Sequence, residues 1–414
     1  MFEIIRKLKT PNLPNMQNDY LKKIFKLEEF IIDNISETNK EIIVQCHSNK
    51  RGMRYEGQYS SAISTTRIKI ARHMIVDDRV VILHITQRRF YFSKYDKRVW
   101  EVLPDFKRKK HDSNIFRKQT LNELRTTNYT GTSTRRHTSK MYPLRLLDEI
   151  DGFKINWDYD CTRLGLDGKG IGKHNEVGNI TNLDKHEVIS VLPAYNQEVL
   201  EKWCQKLTYE QRRQIKEICV DMSNVPIAII KKYFPWAHIV IDHFHIIQLA
   251  IKAMNQMRLI IQQVDRKRIP IKHEIAKSIH KLTSEEYKKI KPYLDEYLEL
   301  KCFWKIIHQL RKVYWQKDYM KARSQLRYVI WLLEQNGISE MEDLAKTLRN
   351  WFNEILNYHI SKTTNAYTEG VHTRFELIKR HHFGIRNLER FSKRILFCLT
   401  PLVLFGELLS NFVK

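Results

Sequence analysis

The sequence lacks an apolar run long enough to cross a lipid bilayer. Its longest apolar stretch, residues 395–406, is interrupted by Thr400 and Pro401, whereas a membrane-spanning helix needs about 20 apolar residues. The opening segment, MFEIIRKLKTPNLP, has no apolar core followed by small residues, so it does not fit a secretory signal. We therefore expect a cytoplasmic protein that makes no contact with a membrane.

Cysteine is scarce and scattered. The chain has six cysteines, and no two of them have the CxxC spacing. A disulfide framework or a cysteine zinc site would need closely spaced, repeated cysteines. The sequence therefore predicts neither of these, and we expect reduced thiols that are mostly buried.

Acidic residues are few relative to basic ones. The 47 Asp and Glu residues stand against 72 Lys and Arg residues, and the formal net charge is +25. Such a charge favours a polyanionic partner, of which nucleic acid is the first candidate. With 414 residues and an apolar fraction of 42%, the chain can form two or three domains with real cores.

The residue pattern of the first part predicts small DNA-binding domains. Residues 1–40 form a helical segment in which 21–32 predict a short amphipathic helix. Residues 41–105 predict a small β module with the strands EIIVQCH, RVVILHI and RRFYFSK. Residues 106–155 begin with the basic run FKRKKHD, which we interpret as a solvated linker. Their remainder fits either a helix-turn-helix with a break at Gly131 or a plain helical hairpin with a charged face.

The second part predicts an α/β core with a helical insertion, so the whole chain is a multidomain α+β protein. Residues 156–245 contain four strand-like runs, LGLDG, EVISVL, EICVD and HIVID, with two helices between the later ones. Residues 246–360 predict an all-helical insertion, and residues 361–414 predict one charged helix and further C-terminal helices. The tryptophans of the insertion favour a place in its core over a role in base stacking; they are Trp304, Trp315, Trp331 and Trp351.

Three acidic residues from separate segments are candidates for one metal site. Asp167 and Asp221 come at the ends of two predicted strands, where α/β sheets place their sites, and Glu369 lies on a helix. Magnesium prefers carboxylate oxygens, and two such ions can catalyse phosphoryl transfer on DNA. Each residue also has a simpler interpretation, because an aspartate can end a strand as a helix cap and a glutamate can complement a helix dipole. Asp242 and His245 form a further candidate pair, and for His245 we favour a structural or DNA-contacting role over that of a metal ligand.

Three blocks of sequence resemble the DDE transposases of the ISL-three family of bacterial insertion sequences. They are LGLDGKGIGKH, CVDMSNVPIAIIKKYFPWAHIVIDHFHII and NAYTEGVHTRFELIKRHHFGIRNLERFSKRIL, and the resemblance extends from about Cys46 to the C-terminus. It implies a ribonuclease-H-like core and an enzyme that cleaves DNA and transfers strands. It also implies that Asp167, Asp221 and Glu369 bind two Mg²⁺ ions, with Mn²⁺ as a substitute, and that Asp242 is a less favoured second ligand. The implied partners are the terminal inverted repeats and target DNA in the nucleoid, bound by a homo-oligomer.

The sequence departs from the family pattern at several positions. Gly168 stands where an acidic residue is usual, His372 where an Asn is usual, and Glu376 where a Lys is usual. None of these removes one of the three carboxylates, and His372 is a possible accessory to them. Upstream, Phe92 and Tyr95 fall near the positions where family members carry zinc-binding cysteines. We therefore predict a zinc-free module held together by aromatic residues.

Basic residues in two regions are candidates for DNA contact. Those of the helix-turn-helix region would recognise the element ends, and those near the Glu369 helix would hold the strand being cut. The first group is Arg135, Arg136, Lys140 and Arg145; the second is Lys379, Arg380, Arg386, Arg390 and Arg394. An ordinary solvated helix face would account equally well for the first group. Two other functions remain open: a metal-dependent nuclease on the same fold, and a non-catalytic DNA-binding regulator derived from a transposase.

Overall fold

The computed structural model describes residues 15–106, 110–150, 161–171, 175–222, 224–381 and 387–400. These residues divide into two units, one that holds residues 15–150 and one that holds residues 161–380 and 387–400. Strands and helices occur in both units, so the protein is a multidomain α+β protein. Among the described residues, no helix has both the length and the apolar composition that a membrane crossing requires.

The first unit is built on a five-stranded sheet in the order β1-β2-β6-β5, with β7 paired to β6. Its strands are β1 (Phe30–Glu37), β2 (Glu41–Ser48), β5 (Ile63–Val76), β6 (Arg79–Phe92) and β7 (Lys97–Trp100), and a separate small hairpin is formed by β3 (Met53–Tyr55) and β4 (Gln58–Ser60). Helix α1 (Asn15–Phe25) adds Leu21 and Phe25 to the core under this sheet. The helix ends at Phe25, so the predicted helix 21–32 is wrong in its second half, where the alternating run FIIDNI pairs with β2 as strand β1.

Strand β6 unites two runs that we predicted as separate strands. RVVILHI and RRFYFSK follow each other in one 14-residue strand, because β5 pairs with it along almost its whole length. At its end Phe92 is fully buried, and Tyr55 lies 5.5 Å from the ring of Phe92 and 5.9 Å from the ring of Tyr95. Aromatic side chains therefore pack together near the positions where family members carry zinc-binding cysteines. The absence of zinc stays a prediction.

Three short helices follow the sheet: α2 (Asn114–Thr126), α3 (Tyr129–Arg135) and α4 (Met141–Asp148). The predicted break at Gly131 is wrong, because Gly131 lies inside α3. The break comes earlier, at Asn128, whose side chain caps α3 by accepting a hydrogen bond from the Gly131 amide at 2.7 Å. Of the predicted linker, Asp112 is buried and paired with Arg72 of β5 at 2.6 Å, so this part of it belongs to the fold.

The second unit contains a five-stranded mixed sheet in the order β10-β9-β8-β11-β12. The strands are β8 (Arg163–Gly170), β9 (Glu176–Asn182), β10 (Glu187–Leu192), β11 (Glu217–Val220) and β12 (His238–Ile241). Strands β8, β9 and β10 form an antiparallel meander, while β11 runs parallel to both β8 and β12. We predicted four strands and missed β9, because its sequence EVGNITN buries polar Asn and Thr side chains in place of an apolar run.

Helices lie between the later strands of this sheet and in a block that follows β12. Those between the strands are α5 (Gln197–Gln205), α6 (Tyr209–Arg213) and α7 (Asn224–Tyr233). The helical block contains α8 (His243–Val264), α9 (Lys272–Ile275), α10 (Ser284–Glu296), α11 (Leu298–Trp315), α12 (Tyr319–Glu334), α13 (Ser339–Asn350) and α14 (Phe352–Ser361), and it is followed by α15 (Ala366–His381) and α16 (Leu388–Leu399). One continuous hydrophobic core joins the block to the sheet.

The four tryptophans of the helical block do not share one environment. Trp304 is buried and Trp351 is half-buried against the core, as we predicted. Trp315 and Trp331 are each 52% exposed, so the prediction is wrong for these two. Each lies on the outer side of its helix, where Trp331 stacks against Tyr328 and Trp315 lies beside His280.

Candidate active site

Asp167 and Asp221 are carried by neighbouring parallel strands of the sheet. Asp221 directly follows β11, as predicted. Asp167 lies inside β8 and not at its end, because β8 continues to Gly170 through its pairing with β9. Since β8 and β11 run parallel and adjacent, both aspartates lie toward the carboxyl end of the sheet.

Glu369 lies in the first turn of α15, and this turn packs closely against β8. A Cβ atom on Gly165 of β8 would collide with the side chains of Thr368, Asn365 and Thr181. The absence of a side chain at Gly165 therefore allows the N-terminal end of α15 to approach the strand two residues before Asp167. This close approach brings the glutamate to the same part of the sheet as the two aspartates.

The pKa of Asp167 responds to burial and to the charges of the other acidic residues. Burial and the negative charges of Asp221, Glu369 and Asp242 together raise the pKa of Asp167 to about 7, against the opposing effect of a hydrogen bond from the Gly168 amide. Burial and the charge of Asp242 also raise the pKa of Glu369. The region is thus a concentration of negative charge in which Asp167 is only 6% exposed.

Two histidines border these carboxylates. His245 Nε2 lies 3.4 Å from Glu369 Oε1, and His372 Nδ1 lies 3.6 Å from Asp167 Oδ2. Burial lowers the pKa of His372 to about 4, helped by the positive charge of Lys169 and by His245. The His372 ring is therefore neutral at pH 7 and leaves the charge of Asp167 uncompensated.

Two clefts open beside the carboxylates and share His245. The first, of about 640 Å³, is lined by Asp167 and Glu369, and Arg380 and Lys169 stand among its other lining residues. The second, of about 740 Å³, is lined by Asp221 and by the exposed face of α8. We refer to them as the Asp167 cleft and the Asp221 cleft.

Asp242 has a different environment from the other three carboxylates. It is 2% exposed and caps α8, where Oδ1 accepts a hydrogen bond from the Phe244 amide at 3.0 Å and lies 3.1 Å from His243 Nδ1. Its other oxygen, Oδ2, accepts a hydrogen bond from the Asn365 amide at 2.8 Å. Burial raises the pKa of Asp242, but these hydrogen bonds outweigh it and hold the pKa below its usual value. Both oxygens of this carboxylate are therefore engaged within the fold.

A buried polar seam joins Asp242 to the strand that carries Asp167. The Asn365 side-chain amide donates to the Leu166 carbonyl at 3.2 Å, and Asn365 accepts the Glu369 amide hydrogen bond at 3.0 Å through its own carbonyl. One turn on, Thr368 Oγ1 lies 2.6 Å from Thr181 Oγ1 of β9. These contacts fix the register of α15 on the sheet.

Sequence reasoning missed two residues of this region, Glu176 and Tyr195. A Cβ atom on Gly168 would collide with both of their side chains, which places them beside Asp167. Burial and the charge of Asp221 raise the pKa of Glu176, while burial and the charges of Asp221, Asp167 and Glu176 raise that of Tyr195. Recognition of β9 as a strand would have brought Glu176 opposite Gly170, whereas nothing in the sequence pattern singled out Tyr195.

The donor set suits hard divalent cations, although it is not gathered into a cluster. Among the residues that the structure describes, no three His, Cys, Asp or Glu side chains are close enough together to hold a metal ion. Within the same residues, neither Asp167 nor Glu369 is paired with a lysine or arginine. Carboxylate oxygens are the ligands that Mg²⁺ and Mn²⁺ prefer, so Asp167, Asp221 and Glu369 fit these ions by their chemistry.

The DNA-binding candidates of the first unit differ in their exposure and in their ion pairs within the fold. Arg136 is held inside the fold, with Nε 2.7 Å from Glu123 Oε2 and its side chain only 13% exposed. Arg135 is 67% exposed and lies 3.6 Å from the same carboxylate. Lys140 and Arg145 are exposed. Arg135, Lys140 and Arg145 are therefore accessible at the surface of this region, whereas Arg136 is not.

The DNA-binding candidates of the second unit also differ in their exposure. Arg380 is exposed and lines the Asp167 cleft, Lys379 is half-buried one residue before it, and Arg390 is exposed. Arg394 is fully buried, with its guanidinium carbon 5.6 Å from the Phe397 ring centroid, so it does not reach a DNA surface. Arg386 lies outside the described residues. Of this group, Arg380 is thus the residue best placed to contact a ligand in the Asp167 cleft.

Comparison with known proteins identifies the family. A family model of transposases, the ISL3 DDE type, matches residues 164–395, more than half of the chain. The chain belongs to the ISL3 family of DDE transposases. The match begins in β8 and ends in α16, so it covers Asp167, Asp221 and Glu369. This confirms the resemblance stated from the sequence blocks, though the matched residues do not extend to the first unit.

One curated relative of this ISL3-family chain is "Transposase for insertion sequence element IS1001" from Bordetella parapertussis. The two are 22% identical over 221 residues, which is 50% of this chain and 53% of the relative. The match thus spans about half the length of the relative. It supports family membership and leaves the activity of this chain to be inferred from its own site.

Proposed function

We propose that the protein is a transposase that binds the terminal inverted repeats of an insertion sequence, cleaves DNA strands and transfers them to a target. In this proposal Asp167, Asp221 and Glu369 hold two Mg²⁺ ions. Family membership supports the broad activity. The observation that carries the finer proposal is the position of three carboxylates on three separate elements: Asp167 and Asp221 on or directly after adjacent parallel strands, and Glu369 in the turn of α15 that packs against β8. The charges of Asp221 and Glu369 accordingly raise the pKa of Asp167.

A ribonuclease-H-like core is part of the same proposal. Its support is the strand order, in which an antiparallel meander of β10, β9 and β8 continues into the parallel strands β11 and β12. The helical block then separates β12 from α15, the helix with the third carboxylate. Such an arrangement would let the insertion vary while the sheet and α15 keep the catalytic residues in place.

We assign the second metal ligand to Asp221 and not to Asp242. Asp242 uses its two oxygens on the amides of Phe244 and Asn365 and on His243. Asp221 lines an open cleft, which gives a cation and a DNA strand access to it. Asp242 is therefore a positioning residue, which sets the first turn of α15 and with it Glu369.

The surrounding side chains suggest how substrate is held at the Asp167 cleft. When bound, the two divalent ions would activate the attacking oxygen and relieve charge on the leaving oxygen. Lys169 and Arg380, which line the cleft, would bind phosphate oxygens of the strand being cut. His245 would orient the Glu369 carboxylate, and the neutral His372 ring would orient Asp167.

A strand-transfer assay tests the proposal. A labelled terminal-repeat end, a target plasmid and Mg²⁺ should yield both a nicked end and a product joined to the plasmid. Asp221→Asn should lose both products, while the control Asp343→Asn, whose side chain is 77% exposed on α13, should keep both. Cleavage without joining would indicate a nuclease, and binding without cleavage a regulator; either result contradicts the proposal.

A further inference from the structure

The Asp221 cleft has features that catalysis by three carboxylates does not use. One of its walls is a single face of α8, formed by Phe244, Gln248, Lys252 and Asn255 at spacings of four, four and three residues. The opposite wall includes Lys272 and His273. Its volume of about 740 Å³ lies in the range of sites that hold a small molecule or one nucleotide.

The charge of this cleft favours an anion. Asp221 is the one acidic residue among its lining residues, whereas Lys252 and Lys272 are both exposed. Within the described part of the chain, neither lysine forms an ion pair with a carboxylate. Two unpaired ammonium groups beside a candidate metal ligand are suited to phosphates that flank a reacting phosphodiester.

Phe244 adds a surface for a base. Its side chain is 44% exposed at the cleft, beside His245 with the ring centroids 5.8 Å apart. An apolar floor lies behind it, formed by residues such as Met254 and Ile275. Aromatic rings set among cations bind the faces of unpaired bases, and the amides of Gln248 and Asn255 can bond to base edges. An intact duplex keeps the faces of its bases stacked and cannot offer one to Phe244.

We propose that the Asp221 cleft binds one unstacked nucleotide of the DNA strand next to the phosphate being cut. The base would lie against Phe244, and the adjoining phosphates would lie on Lys252 and Lys272. This assignment rests on the proposed function, since it places the nucleotide by reference to the Asp221 carboxylate. It also defines the ligand class of the cleft as single-stranded DNA.

Photo-crosslinking locates the ligand directly and needs no metal. A single-stranded oligonucleotide with one 5-iodouracil, irradiated with the full chain, should give a crosslink that maps to residues 244–255 or 272–276. Crosslinks confined to other peptides would overturn the proposal. Because no cleavage is required, this result is independent of the outcome of the strand-transfer assay.

Binding measurements then test the role of Phe244. Phe244→Ala should weaken binding of the same oligonucleotide roughly tenfold or more, while Phe244→Trp should keep it. The matched control is Leu259→Ala, at a side chain 45% exposed on the same helix outside the cleft. Equal affinities of Phe244→Ala and Leu259→Ala, with unchanged melting temperatures, would also overturn the proposal.

The lysines give a second, electrostatic readout. Each contact with a single-stranded phosphate contributes about 0.7 to the slope of log affinity against log salt concentration. Lys252→Gln and Lys272→Gln should each reduce that slope by about this amount. An unchanged slope in both variants would contradict the placement of phosphates on these two residues.

Discussion

Asp221 and Asp242 begin from the same local pattern and end in different environments. Each directly follows a short buried strand, and β11 and β12 are parallel neighbours in the sheet. Asp242 is almost fully buried, and its oxygens bind amides of α8 and of the segment before α15. Asp221 lines an open cleft. A strand that ends in an aspartate can therefore supply either a reactive group or a structural cap, and the elements packed against it decide which.

The largest expected difference between the two residues lies in catalysis. We expect Asp221→Asn to reduce strand cleavage roughly a thousandfold or more, since a lost metal ligand costs several kcal/mol of transition-state stabilisation. Its melting temperature should change little. Single-turnover rates on a labelled element end would measure this. A residual rate within tenfold of the wild-type rate would remove Asp221 from the proposed mechanism.

For the free energy of unfolding we expect the opposite order, with a larger effect from the substitution of Asp242 than from that of Asp221. Asp242→Ala leaves the buried amide of Asn365 and the part-buried amide of Phe244 without their acceptor and removes the cap of α8, so we expect a loss of about 2–4 kcal/mol in the free energy of unfolding. Asp221→Ala serves as the matched control and should lose far less. Urea denaturation of both variants measures the difference, and equal losses would contradict the distinction drawn here.

The pH dependence of stability should reveal the buried charge of Asp167. Burial and neighbouring carboxylates raise its pKa from 3.8 to about 7 in the folded protein. Protonation therefore favours the folded state, and the ionised carboxyl costs stability as pH rises from about 4 through about 7. Asp167→Asn should thus gain stability over the wild type by up to roughly 4 kcal/mol at pH 8, and little at pH 4. A stability difference that does not vary with pH would show that the ionised Asp167 carboxyl does not destabilise the folded protein.

A smaller effect should follow from a change in the seam that positions Glu369. Gly165→Ala places a methyl group against Thr368, Asn365 and Thr181, which should cost about 1–3 kcal/mol of stability as the helix shifts. Gly170→Ala is the control, because a Cβ atom there meets nothing within 4 Å. Thermal melts compare the two variants, and Gly165→Ala alone should show a loss of stability.

Much of the second unit was predictable from sequence, because the short runs LGLDG, EVISVL, EICVD and HIVID locate β8, β10, β11 and β12. Strand β9 was not, because its buried face is polar: Asn179 and Thr181 are fully buried and bond to Thr368. Periodicity detects apolar burial, and a strand whose side chains are satisfied by a helix nearly 190 residues later in the chain has no local signal. The same reason hid Glu176, which the β8–β9 pairing brings beside Gly168.

The sequence by itself determined the family, the excess of positive charge and the three acidic candidates, because these depend on residue identity and order along the chain. Only the tertiary structure decided which carboxylates are available. It engaged both oxygens of Asp242, placed Asp167 inside a strand, buried Arg394 and exposed Trp315 and Trp331. The physical reason is that availability depends on burial and on hydrogen-bond partners. Those partners come from segments far apart in sequence, so folding alone brings them together.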